Sequence, residues 1–141
     1  MYIPRHMETT LKTIEKMFSA VIVTGPRQVG KTTLLKKVKP DTPYLTLDDP
    51  LMLRMAIDEP GTFFKAAPPP VIIDEVQYAP NLFTYIKMSV DETHRKGQFF
   101  LSGSQQFRLM KNVSESLAGR LGILELLGLS LREINGVSFN K

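Results

Sequence analysis

Gly25-Pro26-Arg27-Gln28-Val29-Gly30-Lys31-Thr32 is the stretch on which the reading of the whole chain turns. It satisfies the pattern G-x-x-x-x-G-K-[ST] of a P-loop, whose glycines let backbone N–H groups turn inward around phosphate oxygens. The lysine then reaches the β/γ-phosphates and the following hydroxyl sits on Mg²⁺. Context separates such a loop from an ordinary glycine-rich turn. Residues 20–24, Ala-Val-Ile-Val-Thr, form an apolar and mostly β-branched run that reads as a buried strand. Residues 31–38 read as a helix, so Lys31, Thr32 and Thr33 stand at a helix N-terminus, where free N–H groups and the backbone dipole already favour an anion. The expected phosphate-binding set is therefore Gly25, Pro26, Arg27, Gln28, Val29, Gly30, Lys31, Thr32 and Thr33.

The second decisive stretch is Val71-Ile72-Ile73-Asp74-Glu75, a continuous apolar run closed by two acids. A parallel strand covered by helices on both faces reads this way, and its carboxylates emerge at the strand end where ligands bind in open α/β sheets. This is the Walker B pattern. Asp74 is expected to hold Mg²⁺ together with Thr32, while Glu75 is placed to polarise an attacking water. Two carboxylates at one sheet end repel each other, and a divalent cation removes that cost.

Three more strands follow from the same reasoning. Residues 44–47 read as a strand closed by Asp48-Asp49-Pro50, where the acids either cap the helix of residues 51–57 or face the metal. Residues 98–102 read as a strand running into Ser102-Gly103-Ser104, small polar residues suited either to sensing the γ-phosphate or to an ordinary turn. Residues 121–127 form the fifth. Amphipathic helices are expected over residues 7–18, through Leu11 and Ile14, and over 81–96, through Leu82, Ile86 and Val90. Two further helical segments are expected over 105–117 and from 129 to 134. Glu59-Pro60-Gly61 reads as a helix breaker, and Pro68-Pro69-Pro70 as a stiff linker. Arg120, just before the fifth strand, either reaches toward phosphate or binds a surface carboxylate. Strands alternating with helices give an α/β fold: a doubly wound, mostly parallel five-stranded sheet with helices on both faces.

Composition narrows the remaining choices. The chain has 141 residues, 43% of them hydrophobic, enough for one domain with a core and too little for two. Cysteine is absent, which excludes disulfides and thiolate metal sites. The net charge of +4 is scattered, so it argues only weakly for a nucleic acid or an anionic membrane. No apolar run approaches the roughly 20 residues of a membrane span, and residues 1–6 lack the apolar core of a signal peptide, so a cytoplasmic protein is expected. Asp74 is followed by Glu-Val-Gln rather than the D-x-x-G switch of a GTPase. No arginine-rich lid of a small-molecule kinase is evident, and an acid poised beside the metal position favours water as acceptor.

Six segments in order carry a resemblance: Tyr2-Ile3-Pro4-Arg5, Thr24 through Leu35, Leu47-Asp48-Asp49-Pro50, Ile73-Asp74-Glu75-Val76-Gln77, Leu101-Ser102-Gly103-Ser104-Gln105 and Leu117-Ala118-Gly119-Arg120. Together they resemble the prokaryotic AAA-type P-loop ATPases in which the core precedes a C-terminal domain of unknown function. The resemblance implies the additional-strand, catalytic-glutamate class, with another strand between the P-loop strand and the Walker B strand. It implies ATP rather than GTP, Glu75 as the residue activating water, Ser102 or Ser104 as sensor, and Arg120 as a phosphate-reaching arginine in its own subunit or a neighbour. Members usually continue well past this length. Residues 1–141 are accordingly expected to form one ATPase core, with an unknown protein or DNA partner engaged through a further C-terminal region and with subunits able to assemble. The alternative function is a nucleotide-gated binding module with little turnover of its own.

Overall fold

The computed structural model describes residues 5–25, 31–104 and 119–125. The elements are α1 (Arg5–Met17), β1 (Ala20–Gly25), α2 (Lys31–Val38), β2 (Tyr44–Thr46), α3 (Pro50–Asp58), α4 (Pro60–Ala66), β3 (Val71–Asp74), α5 (Leu82–Thr93), β4 (Phe99–Ser104) and β5 (Leu121–Glu125), with a 3₁₀ turn at Val76–Tyr78. Residues 26–30, the helix expected over 105–117 and the one expected over 129–134 lie outside the described residues.

All five strands pair in parallel in the order β2-β3-β4-β1-β5. Strand β4 thus lies between β1 and β3, the separation that the resemblance implies. Side-chain alternation sorts each strand onto two faces. On one face Ala20, Ile22, Val71, Ile73, Phe99 and Leu101 join Phe63 of α4 and Leu82, Phe83, Ile86 and Val90 of α5 in a core. On the other, Val21, Val23, Ile72, Phe100 and Leu124 pack against Leu11 of α1 and Leu34 and Leu35 of α2. The same period of two places Asp74, two residues after Ile72, and Ser102, two after Phe100, on the α2 side. Strand register therefore brings these polar residues beneath the first turn of α2.

Two expectations at element boundaries are refined. Helix α3 ends at Asp58 with Glu59 as its C-cap, as the Glu59-Pro60-Gly61 breaker implies, but Pro60 and Gly61 also start a further helix, α4, in which Pro60 occupies the first turn. A proline is tolerated there because its missing N–H would have had no intrahelical acceptor. Helix α5 stops at Thr93 rather than near residue 96, because His94 turns left-handed (φ 57°) and its N–H returns to the Val90 carbonyl.

Where α1 packs on β5, Gly122 leaves no room for a side chain. A Cβ at this position would stand 2.8 Å from Cδ2 of Phe18 and still closer to Cγ2 of Ile14. Neither atom is the free end of a long flexible chain, so the helix itself must move. Gly122→Ala is expected to destabilise the fold by about 1–3 kcal/mol, the usual cost of overpacking. Chemical denaturation checks it, and an unchanged midpoint would contradict the packing described for α1.

Candidate functional site

Strand β1 ends at Gly25 with φ 153°, a backbone angle that suits glycine and strains an L side chain. The chain re-enters the described structure at Lys31, the first residue of α2. The Lys31 side chain is buried, and its ammonium donates to the carbonyl of Gly25 (2.8 Å) and to that of Gly103 (3.0 Å). It thereby spans the ends of the neighbouring strands β1 and β4. Both acceptors are neutral carbonyls at the sheet's C-terminal edge, the edge at which ligands of open α/β sheets bind. Thr33, next on the helix, is exposed.

Asp74 is the centre of the site. It is a buried carboxylate at the end of β3, and three hydroxyl groups from three different elements converge on it. Thr32 Oγ1 of α2 donates to Oδ1 at 3.0 Å, and Ser102 Oγ of β4 donates to the same oxygen. Tyr44 of β2 donates from its phenol to Oδ2 at 2.7 Å. Hydrogen bonds to a charged acceptor carry about 1.5–3 kcal/mol each, and without them the burial of this carboxylate would be costly. Three donors from three directions also fix its orientation. Ser102 Oγ additionally accepts from the Glu75 N–H at 3.2 Å, so β4 holds both acids of the β3 tip.

Glu75 adopts the left-handed conformation, φ 58° and ψ 45°. For a non-glycine residue that costs on the order of 1–3 kcal/mol, and such outliers concentrate at functional sites. The turn lifts its side chain out of the strand's alternation, and Gln77 Nε2 donates to its Oε1 at 2.7 Å. Asp48, just beyond β2, completes a group of carboxylates: one oxygen each from Asp48, Asp74 and Glu75 lie within 4.8 Å of one another. Its neighbour Asp49 has a different job. Asp49 accepts from the Leu51 N–H at 2.9 Å and caps α3, one of the two alternatives for this acidic pair, whereas Asp48 lies with the carboxylates of Asp74 and Glu75.

Residues 17–135 match the AAA domain family, most of the chain. The chain belongs to that family. Among curated proteins this AAA domain is 37% identical over 116 residues to an uncharacterised protein of Mycobacterium tuberculosis, Rv2008c, covering 81% of this chain and 26% of the relative. It is 28% identical over 122 residues to the uncharacterised protein MJ1544 of Methanocaldococcus jannaschii, covering 79% and 27%. The chain therefore spans about a quarter of the length of these relatives. Among solved structures its fold is similar to a DNA replication initiation factor, with a TM-score of 0.58, 14% identity and coverage of 92% of this chain and 46% of that one. It is also similar to AMPPCP-bound DnaA from Aquifex aeolicus, with a TM-score of 0.51, 19% identity and coverage of 86% and 45%. The AAA domain is thus an α/β P-loop fold by family, strand order and structural likeness.

The remaining expected site residues of the AAA domain divide three ways. Pro26, Arg27, Gln28, Val29 and Gly30 lie outside the described residues. Ser104 closes β4 in register with Gly25, at the same sheet edge as Lys31. Arg120 stands elsewhere. Its carbonyl accepts from the Ala20 N–H at the start of β1, and its guanidinium pairs with Asp91 of α5. That is the opposite edge of the sheet from Gly25 and Asp74, so within one chain Arg120 meets the surface carboxylate rather than the phosphate position. Among the described residues no helix is long and apolar enough to cross a membrane.

Tyr44 is the participant that sequence reasoning missed. A tyrosine opening a short strand carries no motif, and only the strand order β2-β3 puts its hydroxyl on Asp74. Burial, together with the hydrogen bond to Asp74 and that residue's negative charge, pushes the phenol up to about 12 from 10.0. The folded state thus holds this proton more tightly than the unfolded chain does. Its contribution to stability is complete below pH 10 and disappears as the pH rises through about 12. In the metal-free protein, tyrosinate absorbance should contain a component with its midpoint at about 12, and Tyr44→Phe should remove that component. An absorbance titration that Tyr44→Phe leaves unchanged at its alkaline end would contradict the contact.

Proposed function

We propose that this AAA domain binds ATP with Mg²⁺ and hydrolyses it, and that residues 1–141 act as one ATPase core. The observation that carries the reading is the 3.0 Å hydrogen bond from Thr32 to Asp74. It joins the helix that follows the glycine loop to the acidic end of β3, so that one ligand bearing phosphate and cation meets both. The AMPPCP-bound neighbour of the same fold supports a nucleotide as that ligand.

The residues present fit Mg²⁺, which takes hard oxygen ligands and keeps several waters. Thr32 and Asp74 would hold it, with Asp48 and Glu75 close enough to act through water. When bound, it neutralises charge on the β- and γ-phosphate oxygens and so assists departure of the diphosphate. The chain's own residues do the rest. Lys31 and the amides at the start of α2 hold the phosphates at the ends of β1 and β4. Glu75 orients a water whose oxygen bonds to the γ-phosphorus as the bond to the β,γ-bridging oxygen breaks, and the Glu75 carboxylate accepts the proton. Gln77 steadies that carboxylate through Oε1. Ser102 keeps the two acids in fixed relation, and Ser104, at the end of β4, is a candidate γ-phosphate sensor.

One observation favours the alternative of a nucleotide-gated module with little turnover alone. Arg120 is engaged with Asp91 at the far edge, so an arginine for the transition state would have to come from elsewhere, including a neighbouring subunit. Partners, whether protein or DNA, would then read the nucleotide state.

Glu75→Gln is expected to keep ATP affinity and to lose turnover by about a hundredfold or more, the lower end of what a positioned base supplies. Lys31→Ala is expected to weaken ATP binding by about ten- to a hundredfold, the loss of a charge-assisted contact. Equilibrium binding and phosphate release with Mg²⁺, across a range of protein concentration, check both. Parent-level hydrolysis by Glu75→Gln would refute the assignment of the base. Turnover per subunit that climbs with concentration would favour shared sites over the isolated core.

A further inference from the structure

Of the three hydroxyl groups on Asp74, those of Thr32 and Ser102 share Oδ1, whereas Tyr44 takes Oδ2 alone. The assignment of oxygens to partners bears on the cation. A carboxylate at a strand tip rotates about its Cβ–Cγ bond, and each rotation changes which oxygen faces the first turn of α2. Donors on Oδ1 alone leave that rotation loosely restrained. A donor on Oδ2 from the opposite side closes it.

Tyr44 is built to stay in place. Its ring packs with the α2-face core, and the ammonium of Lys36, on the same helix as Thr32, lies 4.0 Å from the ring centroid. A cation over an aromatic face contributes about 0.5–1 kcal/mol at such a half-exposed position. The phenol is thus fixed from β2 below and α2 above, and α2 is tied to Asp74 twice, directly through Thr32 and indirectly through Lys36 and Tyr44.

We propose that Tyr44 is a positioning residue that holds Oδ2 of Asp74 so that Oδ1 and the Thr32 hydroxyl together meet the cation that accompanies the nucleotide. The inference rests on the magnesium reading of the site given above. Tyr44 touches neither phosphate nor reacting atoms in this assignment; it acts through Asp74. Its loss alters how readily the cation is taken up, and the phosphate contacts of Lys31 stay as they were.

Tyr44→Phe removes one oxygen and keeps the ring against Lys36 and the core. Binding of a fluorescent ATP analogue is measured for the parent and the variant, first in excess chelator and then across a Mg²⁺ titration, with circular dichroism as the check on folding. The expected result is unchanged affinity in chelator and a Mg²⁺ half-saturation point raised about two- to tenfold, the weight of one net hydrogen bond. Lys36→Met, at an exposed position, should shift the same midpoint in the same direction by less, and it serves as the test if Tyr44→Phe does not fold. Equal Mg²⁺ dependence in parent and variants overturns the role of Tyr44 while leaving the magnesium reading intact. A variant that loses affinity equally with and without Mg²⁺ shows a merely structural residue and also overturns it. A parent whose nucleotide affinity ignores Mg²⁺ overturns the reading of the site on which the inference rests.

Discussion

A buried carboxylate that accepts hydrogen bonds from three separate elements is a demanding requirement, and Asp74 imposes it on this sheet. Thr32 must arrive on α2, Tyr44 on one neighbouring strand and Ser102 on the other. Only an order that puts β3 between β2 and β4 satisfies all three. The same order then leaves β4 beside β1, which lets the Lys31 ammonium span the carbonyls of Gly25 and Gly103. Local alternation does the remaining work, because Ile72 and Phe100 pack toward α2 and carry Asp74 and Ser102 to that side. The apolar core and the polar site are therefore two readings of one register.

Charge gives the arrangement its direction. Three carboxylates lie close together beside a buried lysine at the C-terminal edge of a parallel sheet, where a helix also begins. At such separations each like-charge pair costs about 1 kcal/mol even in water, and more where solvent is partly excluded. Under the proposed function, a triphosphate carrying its cation would satisfy both signs at once, its phosphates at Lys31 and the helix start and its cation at the acids. Membership of the AAA domain family agrees with a site of this polarity. The strained turn at Glu75 and its contact with Gln77 add a carboxylate held apart from the strand, where it can address water.

Much of this was legible beforehand because it depends on neighbours in sequence. The β-branched run of β1, the acid-tipped run of β3 and the periodic face of α5 each report their own burial, and the glycine-lysine loop carries its chemistry in its spacing. What escaped was what depends on strand order. Tyr44 acquires a role only through β3 beside it, and Asp48 and Asp49 take different roles because one lies past the strand end toward Asp74 and the other turns back to Leu51. Arg120 was open between phosphate and carboxylate, and just before β5 its guanidinium pairs with Asp91. The short helix α4 was hidden for a local reason: the Pro60 and Gly61 that follow the end of α3 also open a new helix, because proline is tolerated in a first helical turn.

The central claim is that the lysine turn and the acidic strand end serve one triphosphate and its cation. Crystals grown with AMPPCP and Mn²⁺ in place of Mg²⁺ test it most directly, since anomalous scattering locates the ion without reference to the rest of the density. The account predicts an anomalous peak between the Thr32 hydroxyl and Asp74, with the terminal phosphates against Lys31. A peak held by the carboxylates away from Thr32, or phosphates bound without reaching Lys31, would contradict it.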